Sequence, residues 1–212
     1  MQDSILNPTK VTEKPFHQAF ILVLLRTFLR ILILTWARFM TWLFPSHSKR
    51  QKLAVRMRLP MPNPLNLSWI TSTLAVGGQF SSNNIPALVA LQVGSVVDVR
   101  LEDKDDEDLL RQNGIDLLYL PTPDVHPLSL EDLRKGSEWI NNRLQMGQKV
   151  LVHCKHGVGR SVLLTGAALV DQGLTAKEAF TLIAEKRWQA APNESQIYRL
   201  MEYEQQRREQ SL

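Results

Sequence analysis

Most of the chemistry in this chain is concentrated in His153-Cys154-Lys155-His156-Gly157-Val158-Gly159-Arg160-Ser161, which contains its only cysteine. The apolar stretch "KVLVHC" before it reads as a strand, and the apolar run from Val162 to about Gln172, ended by Gly173, reads as a helix. A strand carries the cysteine to the C-terminal edge of a sheet, and the loop then runs into a helix start. There, backbone N–H groups and the helix dipole converge on one point. Such a point binds a phosphate. Gly157 and Gly159 let the backbone curl so that the amides of Lys155, His156, Gly157, Val158 and Gly159 face inward, and Arg160 can fork onto two phosphate oxygens. The same field favours a Cys154 thiolate, the nucleophilic form. The bland alternative is a buried structural cysteine beside a surface glycine turn. It requires His, Cys, two glycines, Arg and Ser to fall at these offsets by chance, an event of about one in a million for a chain this size.

A thiolate that attacks phosphorus must expel an alkoxide or phenoxide, a poor leaving group unless a carboxylic acid protonates it from the far side. The nine-residue pattern resembles the signature loop of the cysteine-based protein-tyrosine and dual-specificity phosphatases. The resemblance implies that the acid is an aspartate in a mobile loop after a strand. Asp124, in "LPTPDVHPLS" and thirty residues before Cys154, fits that place. Asp116 and Asp98 fit it less well, since both fall within strands. The resemblance further implies that Ser161 hydrogen-bonds the sulfur as it leaves in the second step, that His153 organises the loop from behind, and that His156 can face the substrate. "PNESQ" is similar to a late segment that supports the phosphate loop, which makes Asn193 structural.

This resemblance covers residues 65 to 205. The domain is short and shows no tyrosine-recognition loop of the large receptor-type phosphatases, which favours the dual-specificity branch. The implied activity is metal-independent hydrolysis of a phosphomonoester through a cysteinyl-phosphate intermediate, with no cofactor. A phosphorylated protein is the first expected substrate. A membrane phospholipid, either a phosphoinositide or phosphatidylglycerophosphate, is the alternative, because a lysine directly after the cysteine is similar to what lipid-directed members carry. A phosphate-binding adaptor without catalysis stands last, since it would be expected to lack the cysteine, arginine or acid.

Other elements must hold these groups in place. "WITSTLAVGG" (Trp69 to Gly78) reads as a strand or hairpin arm, "GSVVDVR" (Gly94 to Arg100) as a buried strand and Ile115 to Pro121 as another, with a short helix carrying Pro86 in its first turn. The acidic run Glu102 to Asp108 reads as the solvated start of a helix stopped by Gly114. Ser129 caps a helix through "LSLEDLRKGSEWINNRLQMG", Thr175 caps "TAKEAFTLIAEKRW", and "ESQIYRLMEYEQQRRE" closes the chain. Strands alternating with helices predict an α/β fold, a mostly parallel sheet flanked by helices, over residues 67–212.

The remainder has a different composition. Residues 20–44 hold fifteen Leu, Ile, Val or Phe, interrupted by Arg26, Arg30 and Arg38 on one arc of the helical wheel. A spanning helix and a helix lying in the membrane interface both fit, whereas a signal peptide fails for want of a small-x-small site. A hairpin or core helix of the globular part is a third reading, opposed by the cluster Lys49, Arg50, Lys52, Arg56 and Arg58. That cluster suits anionic headgroups and a cytoplasmic catalytic side. Residues 1–59 are therefore expected to associate with a membrane, and 60–66, with Pro60, Pro62 and Pro64, to form a stiff linker. The net charge of +4 splits into +8 for residues 1–64 and −4 for 65–212, so the folded part is acidic and nucleic acid is excluded as a partner. A single cysteine leaves no disulfide framework and points to a reducing compartment.

Overall fold

The structure, a computed structural model, describes residues 65–210. The expected membrane-associating segment 1–59 and most of the linker lie outside them. Leu65, assigned above to the linker, is 2% exposed and belongs to the core. Among the described residues no helix is long and apolar enough to cross a membrane.

Five strands, β1 (Leu67–Trp69), β2 (Leu74–Gly77), β3 (Val93–Arg100), β4 (Asp116–Thr122) and β5 (Lys149–His153), form one sheet in the order β1-β2-β5-β3-β4. The segment read above as one arm is a hairpin, since β1 pairs antiparallel with β2 at the sheet edge. The β2–β5, β5–β3 and β3–β4 pairs are parallel. The helices are α1 (Ile85–Ala90), α2 (Glu107–Gln112), α3 (Leu130–Gln145), α4 (Arg160–Asp171), α5 (Ala176–Lys186) and α6 (Glu194–Glu209).

The period-2 pattern of the central strands sends alternate side chains to two cores. Val97, Val99, Val150 and Val152 pack with Leu133 and Ile140 of α3, Leu163, Leu164 and Ala167 of α4, and Leu200 and Tyr203 of α6. Val96 and Leu151 point the other way, toward Leu88 of α1 and Leu110 of α2. Both faces are thus covered, which is why the strands read as nearly continuous apolar runs. The caps follow local chemistry: Ser129, Thr175 and Asn193 each accept the N3 amide of their helix. Helix α4 begins at Arg160, two residues before the expected Val162, because the Gly159 carbonyl accepts from the Leu163 amide at 2.8 Å. Arg160 and Ser161 therefore sit in the first helical turn.

Candidate active site

Strands β2, β3, β4 and β5 are parallel, and their C-terminal ends deliver Gly77, Arg100, Thr122 and His153 to one edge of the sheet. Crevices for ligands form at such an edge. The loop from Cys154 to Gly159 crosses it. Cys154 is 3% exposed, its Sγ accepts from the Gly157 amide at 3.2 Å, and it lies 3.3 Å from the Ser161 hydroxyl. Gly157 is required twice over, because its φ is +69° and a Cβ there would lie 2.5 Å from the Gly77 backbone. Gly159 has a different reason for its size, since its Cβ position abuts the Gln196 amide at 2.6 Å.

Arg160 is 2% exposed, and its guanidinium is held from three sides. Nη1 donates to Glu102 Oε2 at 2.8 Å and to the Thr122 carbonyl at 2.7 Å, and Nη2 donates to Glu102 Oε1 at 2.7 Å. Nη2 also meets Asp124 Oδ1 at 3.0 Å. Its Nε, buried, has no hydrogen-bond partner among the described residues. Burial works against the Arg160 charge, but the Glu102 carboxylate, the Cys154 sulfur and Asp124 outweigh it and raise its pKa. The same hydrogen bond pulls the Glu102 carboxyl down to about 2, with the nearby Lys155 charge adding to the effect.

The acid loop brings Asp124 to this guanidinium with its side chain 57% exposed, so it is open to a ligand from solvent. Val125, the next residue, sits at φ +62°, a strained setting for a β-branched side chain. The "PNESQ" segment holds that setting. Asn193 Nδ2 donates to the Val125 carbonyl at 2.6 Å, and Gln196 Nε2 to the His126 carbonyl at 3.2 Å. Asn193 therefore caps α6 and braces the loop after β4, while Gln196, the last residue of the "PNESQ" segment, touches both that loop and Gly159.

Lys155 is exposed and His156 half-buried. Both lend backbone carbonyls to the scaffold: Lys155 to the Gln79 amide at 3.1 Å, His156 to Arg187 Nη2 at 3.2 Å. Val158 accepts from the Ala191 amide at 2.9 Å. Beneath the loop, His153 Nε2 pairs with Asp105 Oδ2 at 2.7 Å, and Asp98 binds Arg100 through both its oxygens.

The sequence reading missed three elements. The acidic run is not a merely solvated helix start, since Glu102 grips Arg160, and Asp103 and Asp105 bind Arg100. Asp98, Asp105 and His153 bring ligand atoms within 4.8 Å of one another, a grouping that was not foreseen. The Arg100 guanidinium already occupies the carboxylates of that group, in the place a cation would take. Arg187, 1% exposed, donates to the carbonyls of Gly157, His156, Asn66 and Val76. Burial pushes its pKa down to about 10, so it remains a cation at neutral pH behind the sulfur loop. In the sequence Arg187 follows Glu185 and Lys186 and reads as a surface residue, and no spacing rule ties it to Cys154.

With this geometry in hand, comparison with known proteins is decisive, because residues 76–206 match the dual specificity phosphatase catalytic domain. The chain belongs to that family. It is 38% identical over 68 residues to the human serine/threonine/tyrosine-interacting protein, covering 32% of this chain and 30% of the relative. It is 31% identical over 88 residues to human dual specificity protein phosphatase 5, covering 41% and 23% respectively. The chain thus spans about a third or less of the length of these curated relatives. Among solved structures, Tk-PTP in its active form aligns with a TM-score of 0.61 and 29% identity, over 66% of this chain and 97% of that one. PTPMT1 in complex with PI(5)P shares the fold, with a TM-score of 0.66 at 24% identity over 69% of this chain and 99% of that one.

Proposed function

We propose that this dual-specificity-type domain hydrolyses phosphomonoesters through a cysteinyl-phosphate intermediate, without a metal. The observation that carries the reading is the orphaned Nε of buried Arg160, a donor with no hydrogen-bond partner among the described residues, on a guanidinium that feels the Cys154 sulfur. A buried unpaired donor is costly unless a ligand satisfies it, and a phosphate oxygen would do so. In the first step the Cys154 sulfur forms a bond to phosphorus while the P–O bond breaks, and Asp124 gives its proton to the departing oxygen. In the second, Asp124 takes a proton from water, the water oxygen bonds to phosphorus, and the P–S bond breaks with Ser161 hydrogen-bonding the sulfur. Lys155, His156, Gly157, Val158 and Gly159 line the phosphate site with Arg160, and His153 and Asn193 position the loops. An adaptor without catalysis has no use for nucleophile, arginine and acid gathered together.

Protein-bound phosphate is the first substrate reading, on the strength of family membership. The second is a phospholipid headgroup, favoured by exposed Lys155 beside the sulfur and by the apolar segment 20–44 upstream, which would put the protein on a membrane with its catalytic domain on the cytoplasmic side. The test of the chemistry is hydrolysis of para-nitrophenyl phosphate in EDTA by the full chain. Cys154→Ser is expected to abolish turnover and keep ester binding. Activity that survives this change, or that needs a metal, refutes the mechanism.

A further inference from the structure

Helix α6 opens on two side-chain amides three residues apart, and each of them does two things. Asn193 accepts the Gln196 backbone amide on Oδ1 at 3.0 Å, and Gln196 accepts the Asn193 backbone amide on Oε1 at 3.0 Å. This reciprocal pair satisfies donors that a helix start leaves open. It uses only the carbonyl half of each carboxamide. The NH2 halves donate away from the helix to two consecutive carbonyls of the loop after β4, Asn193 Nδ2 to Val125 at 2.6 Å and Gln196 Nε2 to His126 at 3.2 Å. One turn further on, Arg199 Nη1 donates to the Leu128 carbonyl at 3.2 Å. Positions 193, 196 and 199 recur at helical spacing, so one face of α6 carries all three donors.

Helix capping alone does not call for this pair of residues. A serine or aspartate followed three positions later by a glutamate closes the same reciprocal bonds. An ionised carboxylate, however, has no hydrogen to give, and a serine hydroxyl ends one bond short of the Nδ2 position. It is the loop that needs two amides.

The two gripped carbonyls belong to the residues that fix Asp124. The Val125 amide donates to Asp124 Oδ1 at 3.0 Å, and the His126 ring donates from Nδ1 to the Asp124 carbonyl at 2.9 Å. The same Oδ1 lies 3.0 Å from Arg160 Nη2. Val125 keeps this geometry at φ +62°, a strained setting that persists only where contacts from outside the turn secure it. Gln196 also bears on the sulfur loop, since it is 2% exposed and its Oε1 lies 2.6 Å from where a Gly159 Cβ would stand. One carboxamide thus touches both loops of the site and sets their spacing.

We propose that Gln196 and Asn193 are positioning residues for the Asp124 acid: their NH2 groups hold the loop after β4 with Asp124 at Arg160 before a substrate arrives, so the proton donor is in place without a closing movement of that loop. The inference rests on the reading of Asp124 as the acid. Loss of either donor lets the turn relax, and the cost falls on the one event that needs Asp124 in the first step, proton delivery to the departing oxygen.

The experiment uses the full chain with Asn193→Ser, which keeps a helix cap of similar strength and removes one loop donor, and Gln196→Met, which keeps the side-chain length and removes the other. The readout is kcat/KM, which reports the step that expels the leaving group, on para-nitrophenyl phosphate and on phenyl phosphate, whose leaving group is more basic. Each variant is expected to lose about tenfold on phenyl phosphate and less than about twofold on para-nitrophenyl phosphate, with the urea midpoint of Asn193→Ser unchanged. In an Asp124→Asn background the same substitutions should change either rate by less than about twofold, because they act through that carboxyl. Equal losses on both substrates, losses that persist without the Asp124 carboxyl, or unchanged rates in the folded variants overturn the inference. Should Gln196→Met fail to fold, Asn193→Ser decides by the same criteria. If Asp124→Asn alone loses equally on both substrates, the acid reading itself fails, a result distinct from failure of the two amides to position it.

Discussion

Glu102 holds Arg160 with both carboxylate oxygens, Oε1 to Nη2 at 2.7 Å and Oε2 to Nη1 at 2.8 Å, across 58 residues of sequence. With the Thr122 carbonyl on Nη1, this fixes the guanidinium plane, while the buried Nε has no hydrogen-bond partner among the described residues.

Glu102→Gln keeps the shape and loses the charge and one acceptor of the fork. The expected result is a kcat/KM on para-nitrophenyl phosphate lower by about 10²-fold, through misplacement of Arg160. Stability responds to acid with a definite sign. The Glu102 carboxyl is held at about 2 in the folded protein against an ordinary 4.5, so its contribution is complete above pH 4.5 and fades as pH falls toward 2. Urea midpoints of the native protein and Glu102→Gln should therefore differ at pH 6 and converge near pH 2.

Asp124→Asn should lower turnover by about 10²- to 10⁴-fold for alkyl phosphates, whose leaving groups need a proton, and far less for para-nitrophenyl phosphate. The side chain is 57% exposed, so thermal stability should change by less than about 0.5 kcal/mol. Equal losses on both kinds of substrate would assign the acid to another residue.

Arg187→Met should leave the carbonyls of Gly157, His156 and Val76 without this buried donor. Each unmet acceptor costs about 1–3 kcal/mol, so the urea midpoint should drop by the equivalent of at least about 3 kcal/mol. Arg187→Lys should recover only part of this, because an ammonium cannot reproduce the planar fork.

Tyr203, 2% exposed, places its hydroxyl 2.7 Å from Ser137 Oγ and donates to Asp171 Oδ2 at 2.9 Å. Burial pushes its pKa up to about 12 from 10. The folded form thus prefers the neutral phenol, a stabilisation complete below pH 10 and lost as pH rises through 12. Tyr203→Phe should cost about 2 kcal/mol at pH 7 and lose this alkaline limb in denaturant titrations from pH 8 to 12.

Local rules carried far in this chain. The Ser129 and Thr175 caps, the Gly114 stop and the strand boundaries of β3 and β5 are legible because each depends on contacts within a few residues, whereas the Asn193 cap was not read. The sulfur loop is legible for the same reason: strand, glycine loop, arginine and serine occupy nine consecutive positions, and the loop returns Ser161, in the first turn of α4, to 3.3 Å from the sulfur. Asp124 was singled out because the resemblance implies a carboxyl in a loop after a strand, and the fold brings it to Arg160. The acidic run misled because its charges resemble a solvated helix start, while Arg160 reaches Glu102 from 58 residues away and Arg100, at the end of β3, folds forward onto Asp103 and Asp105.

By itself, then, the sequence singled out the cysteine loop, its arginine and serine, and the class of fold that presents them. Those features rest on hydrogen-bonding groups and apolar periodicity within single segments. Only the tertiary structure decided which charges face which. Glu102 orients Arg160, Arg187 ties the sulfur loop to Asn66, and β1 pairs antiparallel with β2 at the sheet edge. The two guanidinium pairings cross tens of residues, set by strand order and by the need of each buried guanidinium for an acceptor, and no local spacing encodes them.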